Sequence, residues 1–329
     1  MLNMTLLALR FSRYANGVSL QHGKVSREMF PEFAIDSITN GVHALTWVSK
    51  PFQKLMDAHF SSWQRDNLYL RNAIDLSEEE ILAAHASAKE TLLAEVAQRT
   101  SLPANQTLDP KVLTLGFARR AATYKRAKLM LTDPERLMKI AAAAGGLQIL
   151  YAGKAHPQDE PGKTLIREVI EEAARLSNNL LRIVYLENYD WDLGALLTAG
   201  VDVWVNTPKR PYEASGTSGM KAALNGVPSL SILDGWWIEG CIEGYTGWAI
   251  EDGASDTEEA ASLYEKLETA VLPLYLAAPE RWARLMRNTL AFNGSYFNTN
   301  RMVKQYTRNA YYPVKLIERA RVEEEAFAD

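Results

Sequence analysis

The stretch Glu213 to Gly226, EASGTSGMKAALNG, joins a carboxylate, a run of small and hydroxyl residues, and one lysine. Ser215, Gly216, Thr217, Ser218 and Gly219 carry too little side chain to screen their backbone amides, and a helix starting there points its positive end at the loop. A phosphate suits that arrangement. Lys221 does not follow the Gly-x-x-x-x-Gly-Lys-Ser/Thr spacing of a nucleotide-binding P-loop. Three roles stay open for it: a helix-surface lysine, a charge partner for an acid, or an amine that captures an aldehyde such as that of pyridoxal phosphate. A second cluster, Arg119-Arg120-Ala121-Ala122-Thr123-Tyr124-Lys125-Arg126, places four cations within eight residues. Read as the start of a helix, it sets those charges against the macrodipole, a cost that calls for an anion. The third cluster, Glu187-Asn188-Tyr189-Asp190, offers hydrogen-bonding groups, but a surface turn explains it equally well.

The elements that must position these clusters are short apolar runs alternating with helical stretches. Val112 to Phe117, Leu147 to Ala152, Arg182 to Leu186, Val201 to Val205 and Ser229 to Leu233 read as strands, with amphipathic segments such as Gly162 to Leu176 and Asp192 to Ala199 between them. Strand and helix in alternation predict an α/β fold, a Rossmann-like parallel sheet with helices on both faces. Such sheets bind ligands at the carboxyl ends of their strands, where all three clusters fall. Upstream the chain is helix and loop. Leu6 to Met29 has helical spacing interrupted at Asn16-Gly17, and Ser77-Glu78-Glu79-Glu80 is a capping box opening a long helix that ends near Arg99. Downstream, helical segments are expected around Asp256 to Ala278, Pro279 to Ala291 and Arg301 to Tyr312.

The composition excludes several classes. With 329 residues, 47% of them hydrophobic and 23% charged, the chain can bury a sizeable core, and no apolar run reaches the ~18 residues of a membrane helix. No export signal is read in the opening residues. The single cysteine, Cys241, allows neither an internal disulfide nor a cysteine-based metal cluster, which favours a reducing cytoplasm. Thirty-six basic against 40 acidic residues, with no dense basic block, lack the footprint of a nucleic-acid binder. Any bound anion must be held locally, and no metal site is expected.

EASGTSGMK closely resembles the cofactor-lysine signature of the α-glucan (glycogen and maltodextrin) phosphorylases, and RRAATYKR resembles their substrate-phosphate segment. ITNGVH at Ile38 to His43, AGKAHP at Ala152 to Pro157, LENY at Leu186 to Tyr189, and LNGV with LDG from Leu224 to Gly235 fall in the family's order, six motifs across nearly 200 residues. Trp236-Trp237 and the later GYTGWAI look like the shorter microbial branch. The resemblance implies the carboxyl-terminal, cofactor-binding domain of a two-domain GT-B glycosyltransferase fold. Residues 1–35 would be the last helices of an amino-terminal domain, 36–295 the pyridoxal phosphate domain, and 296–329 a crossover helix and tail. The implied reaction is phosphorolysis of an α-1,4-glucan by orthophosphate, releasing glucose 1-phosphate with retention, the cofactor's phosphate relaying the proton. By the same resemblance Lys221 holds pyridoxal 5′-phosphate, with Arg119, Gly216, Thr217, Ser218 and Tyr189 around it. Arg120 and Lys125 hold orthophosphate, and Asn40, Glu213, Ser215 and Gly216 meet the transferred glucose.

Two departures accompany the resemblance. The family's histidine three residues before the asparagine of NGV is Arg13 here, and its histidine within the RR…YKR segment is Ala122. The chain also reads as a carboxyl-terminal half, so that a missing amino-terminal domain would supply the other wall of the cleft. A homo-oligomer is compatible with this reading. The enzymatic rival is a nucleotide-sugar glycosyltransferase of the same architecture, which places a second glutamate where Lys221 stands. The non-enzymatic rival is a cofactor-binding domain without turnover. A Rossmann oxidoreductase fails because no Gly-x-Gly-x-x-Gly follows the first strand.

Overall fold

The computed structural model describes residues 3–312. Six strands, β1 Thr114–Ala118, β2 Leu147–Ala152, β3 Leu181–Leu186, β4 Val203–Asn206, β5 Ser229–Ile232 and β6 Gly247–Ile250, form one sheet. Every neighbouring pair is parallel, and the spatial order is β3-β2-β1-β4-β5-β6. The first five match the strands expected from the apolar runs to within two residues at either end. The sixth was not expected: Gly247–Ile250 is too short for its pattern to announce a strand, and it forms because β5 offers it an edge.

Helices α1 Glu78–Arg99, α2 Pro134–Ala143, α3 Glu160–Leu176, α4 Trp191–Gly200, α5 Thr217–Ala223 and α6 Asp256–Lys266 flank the sheet. Side chains alternate along each strand, and both sets are buried. Ile149, Tyr151, Ile183 and Val205 join one apolar cluster with Ile140 of α2 and Val169 of α3. Leu150, Val184 and Trp204 join the other with Leu92 of α1 and Leu197 of α4. Burial on two faces is why these strands read as continuous apolar runs. The α1 amino terminus has the expected capping box: Ser77 accepts from the Glu80 amide, and the Glu80 carboxylate accepts from the Ser77 amide.

The strand order positions the site. From β1 the chain steps to β2 and β3, then returns to lay β4 on the opposite side of β1, so the loops after β1 and β4 run apart. A crevice at such a switch point is where open α/β sheets bind ligands.

The upstream helices Met4–Phe11 and Leu20–Met29 are separated at Asn16–Gly17, which pairs in parallel with Asp36–Ser37. The helix Thr299–Tyr306 packs back on this region, with Arg301 donating to the carbonyls of Thr39 (2.5 Å) and Asn40 (2.9 Å). An apolar core runs without interruption from Val42, Trp47 and Phe52 through the sheet to Trp282 and Leu290. The tail expected after Tyr312 lies outside the described residues. No helix among the described residues is long and apolar enough to cross a membrane.

At the amino end of the sheet, opposite the crevice, a buried acid ties α1 to two strands. Asp202 Oδ2 accepts from Lys89 Nζ (2.5 Å) and the Thr114 amide (2.7 Å), while Oδ1 pairs with His85 Nε2 (2.9 Å). Burial pushes the Asp202 carboxyl up, but Lys89 and then His85 outweigh it and hold it below the usual range. Because the folded carboxyl is depressed, its contribution is present above the unfolded value of about 3.9 and is lost as pH falls through the folded one. Asp202→Ala strands Lys89 in the core, so urea unfolding at neutral pH should show a loss of about 3–5 kcal/mol. A loss below about 1 kcal/mol, the size of an exposed pair, would contradict this account.

Candidate active site

Arg119 is the first residue beyond β1, and its amide continues the ladder to the Ala152 carbonyl (3.1 Å). Its side chain is 7% exposed, and its NH2 donates to Glu213 Oε2 at 2.6 Å. Lys125 sits in a single 3-10 turn, Thr123–Lys125, and its Nζ reaches the same oxygen at 2.5 Å. One carboxylate oxygen thus joins the loops after β1 and β4 across the crevice. Burial would raise the Glu213 carboxyl, but Arg119 and Lys125 together overcome that effect and keep it ionised below the usual range.

The loop carrying Glu213 is held by the loop after β5. The Glu213 amide donates to Asp234 Oδ2 (2.9 Å), and the Trp236 amide donates to the Ser215 carbonyl (2.8 Å). Gly216 has φ +89°, the left-handed region that favours glycine, and a Cβ on Gly219 would lie 2.7 Å from the Trp236 ring. Two glycines of EASGTSGMK therefore answer to backbone geometry and to the indole. The Ser218 hydroxyl accepts from Trp204 Nε1 (3.2 Å).

The basic segment differs from expectation in two ways. It leaves β1 without starting an α-helix, since α2 begins only at Pro134, so no macrodipole opposes its charges. The cations are gathered by Glu213 instead. Arg126 also turns away from the cluster: it donates to the carbonyls of Thr207 (3.0 Å) and Pro208 (2.9 Å) and pairs with Asp256 and Glu259. Its task is to bind the β1 and β4 loops to α6. Arg120 is exposed and makes no side-chain hydrogen bond among the described residues.

Tyr189, after β3, is half-buried, with its hydroxyl packed on Gly194 of α4. Burial pushes that hydroxyl up, and the nearby Arg119 charge pulls against it. Asn40 belongs to the amino-terminal segment, which docks on the site loops: Ser19 Oγ donates to the Ala214 carbonyl (2.8 Å), and Thr39 Oγ1 to Glu239 Oε2 (2.7 Å). The Asn40 carbonyl is held by Arg301, while its side chain makes no hydrogen bond among the described residues.

Lys221 is the fifth residue of α5. Its Nζ lies 3.5 Å from the centroid of the Trp47 ring and 5.8 Å from that of Trp191, the two rings being 4.5 Å apart. Among the described residues no carboxylate pairs with it, and burial lowers the amine to about 8. Asn225 holds this arrangement. Its Nδ2 donates to the carbonyls of Trp47 (2.8 Å) and Lys221 (3.1 Å), and its Oδ1 accepts from the Ser49 amide (2.7 Å). Trp47, Trp191 and Asn225 were not singled out from sequence. Only Asn225, an amide in the apolar surroundings of Leu224 and Val227, carried a local signal.

Among the described residues, four buried polar atoms at the β1 and β4 ends lack partners: Arg119 Nε and NH1, Ser215 Oγ and Asn206 Oδ1. Leaving such groups unpaired is costly, and these four gather beside the β1 and β4 ends. Three buried donors, two of them cationic, suit an anion. A low-pKa amine on an aromatic bed suits an aldehyde. Together they fit pyridoxal phosphate.

Comparison with known proteins decides the family. Residues 1–246 match the carbohydrate phosphorylases. The chain belongs to this family. It is 41% identical to maltodextrin phosphorylase of Thermococcus litoralis over 94% of its own length and 40% of the relative's. Against glycogen phosphorylase of Mycobacterium tuberculosis the identity is 39%, covering 94% of this chain and 40% of that one. Against glycogen phosphorylase of Aquifex aeolicus it is 38%, covering 94% and 49%. The chain thus spans under half the length of these relatives.

The lowered amine in this phosphorylase chain makes a pH prediction. Only the neutral amine is a nucleophile, so Lys221 should react with an amine-directed acylating reagent with a midpoint at about 8. An ordinary lysine has its midpoint near about 10.4. Peptide mass spectrometry across pH reads the difference.

Proposed function

We propose that this chain is the cofactor-bearing portion of an α-1,4-glucan phosphorylase. The observation that supports it best is Lys221: an amine with no carboxylate partner among the described residues, lowered to about 8 by burial against tryptophan, in a chain that belongs to the phosphorylase family. We take it as the carboxyl-terminal domain of a GT-B fold acting in a reducing cytoplasm. Residues 1–35 would belong with an amino-terminal domain that closes the cleft, 36–295 with the cofactor domain, and 296–329 with a crossover helix and tail. The substrates would be an α-1,4-glucan and orthophosphate, the product glucose 1-phosphate.

Each residue has a physical task in this reading. Lys221 would bind the pyridoxal aldehyde, with Trp47 and Tyr189 as apolar walls. Arg119 would offer its free Nε and NH1 edge to the cofactor phosphate, joined by the amides of Gly216, Thr217 and Ser218. When bound, pyridoxal phosphate would supply a phosphate that exchanges a proton with the substrate phosphate. Arg120, exposed and without a hydrogen-bond partner among the described residues, and Lys125 would hold orthophosphate beside it. Two phosphates at close range repel strongly in a water-poor cleft, and cations aimed between them offset that repulsion. Asn40, Glu213, Ser215 and Gly216 would take the hydroxyls of the terminal glucose, the carboxylate being the strongest acceptor among them. The nucleotide-sugar rival needs an acid where Lys221 stands, and an amine on an aromatic bed cannot replace it.

Borohydride treatment of the chain with pyridoxal phosphate should fix the cofactor on the peptide bearing Lys221. An unmodified Lys221 in folded protein would overturn the cofactor assignment. In the whole protein, Lys221→Ala should abolish release of glucose 1-phosphate from maltodextrin, and wild-type-like release would exclude the role.

A further inference from the structure

Glu213 sits deeper in the cation cluster than a sugar-binding acid requires. Its Oε2 lies 2.6 Å from Arg119 NH2 and 2.5 Å from Lys125 Nζ, and both cationic side chains and the acid are under a tenth exposed. No hydrogen bond engages its other oxygen, Oε1, among the described residues. Of the Arg119 donors, NH2 is engaged, while Nε and NH1 are buried and unpartnered.

We propose that Glu213 is a resident counter-anion, a carboxylate that occupies the place between Arg119 and Lys125 and must be displaced when phosphate engages these cations. This rests on the reading of the crevice as a phosphate site. A single oxygen already stands where such a phosphate needs its own, and two anions sharing one buried pocket repel strongly. The free Nε and NH1 edge of Arg119 gives an arriving phosphate a first foothold while Glu213 still holds NH2. Full engagement then requires the carboxylate to leave.

The surroundings allow that movement to be confined to one side chain. The Glu213 backbone is fixed through its amide on Asp234, and the neighbouring Ser215 carbonyl through Trp236. Rotation about the side-chain bonds carries the carboxylate out while the loop stays in place. Once released, it has both oxygens available for hydroxyl donors. In the absence of phosphate, the same carboxylate keeps two buried cations from repelling one another.

The test is calorimetric titration of the chain with inorganic orthophosphate. Glu213→Gln removes the competing charge and should bind orthophosphate about tenfold more tightly than wild type or better. Glu213→Asp draws the carboxylate back by one methylene and should fall between the two. Unchanged or weaker binding by Glu213→Gln would overturn the inference and show Glu213 to be an organiser of the cations instead. Near-ultraviolet circular dichroism checks folding. Should Glu213→Gln not fold, Glu213→Asp decides: tighter binding than wild type supports displacement, and equal or weaker binding overturns it. Borohydride fixation at Lys221, read on the same proteins, separates the two claims. Loss of fixation with tightened orthophosphate binding sinks the cofactor reading alone, and fixation with no tightening sinks this inference alone.

Discussion

One oxygen of Glu213 holds the loops at the carboxyl end of the sheet together. The switch in strand order drives the loops after β1 and β4 apart, and Oε2 of Glu213 bridges the gap by accepting from Arg119 on one side and Lys125 on the other. Taken singly, any of these three charges would be costly to bury, and a carboxylate with two cations meets that cost only through short, directed hydrogen bonds. The loop geometry around it follows from this demand. Asp234 and Trp236 fix the backbone on which Glu213 rides, and the left-handed Gly216 lets the chain turn directly into α5.

The two ends of the sheet treat a buried acid differently. At the amino end Asp202 is surrounded by Lys89, His85 and the Thr114 amide, so both carboxylate oxygens are engaged. At the carboxyl end the Glu213 cluster leaves Arg119 Nε, Arg119 NH1 and Ser215 Oγ without partners. Both acids are drawn below the usual carboxylate range, and in both cations overcome the effect of burial. Among the described residues the Asp202 network leaves one buried atom over, His85 Nδ1, against three in the Glu213 cluster. The more fully paired network rigidifies the fold, whereas the donors left over at the other end remain available.

Lys221 adds the opposite electrostatic situation a short way along the chain. It has aromatic rings where Arg119 and Lys125 have a carboxylate, and burial lowers its amine to about 8. The paired cations and the lowered amine thus come from loops and helices that follow strands of one sheet. Asn225 sets the difference by tying the Trp47 loop to α5 through three hydrogen bonds.

Local chemistry made much of this legible in the sequence by itself. The capping box at Ser77, the break at Asn16-Gly17, the apolar runs of the first five strands and the small residues before Lys221 all act through the backbone within a few residues, so their consequences follow from adjacency. Tertiary structure decided which charges meet. It sent Arg126 to Asp256 and Glu259 instead of into the anion cluster, gathered Arg119 and Lys125 on an acid some 90 positions away in sequence, and laid Trp47 beneath Lys221 from the far end of the chain. It also added β6, whose few residues become a strand only against β5. Side-chain charge and aromaticity are readable one residue at a time, but the pKa of Lys221 and the pairing of Glu213 depend on neighbours brought close by strand order, and no spacing along the chain encodes those distances.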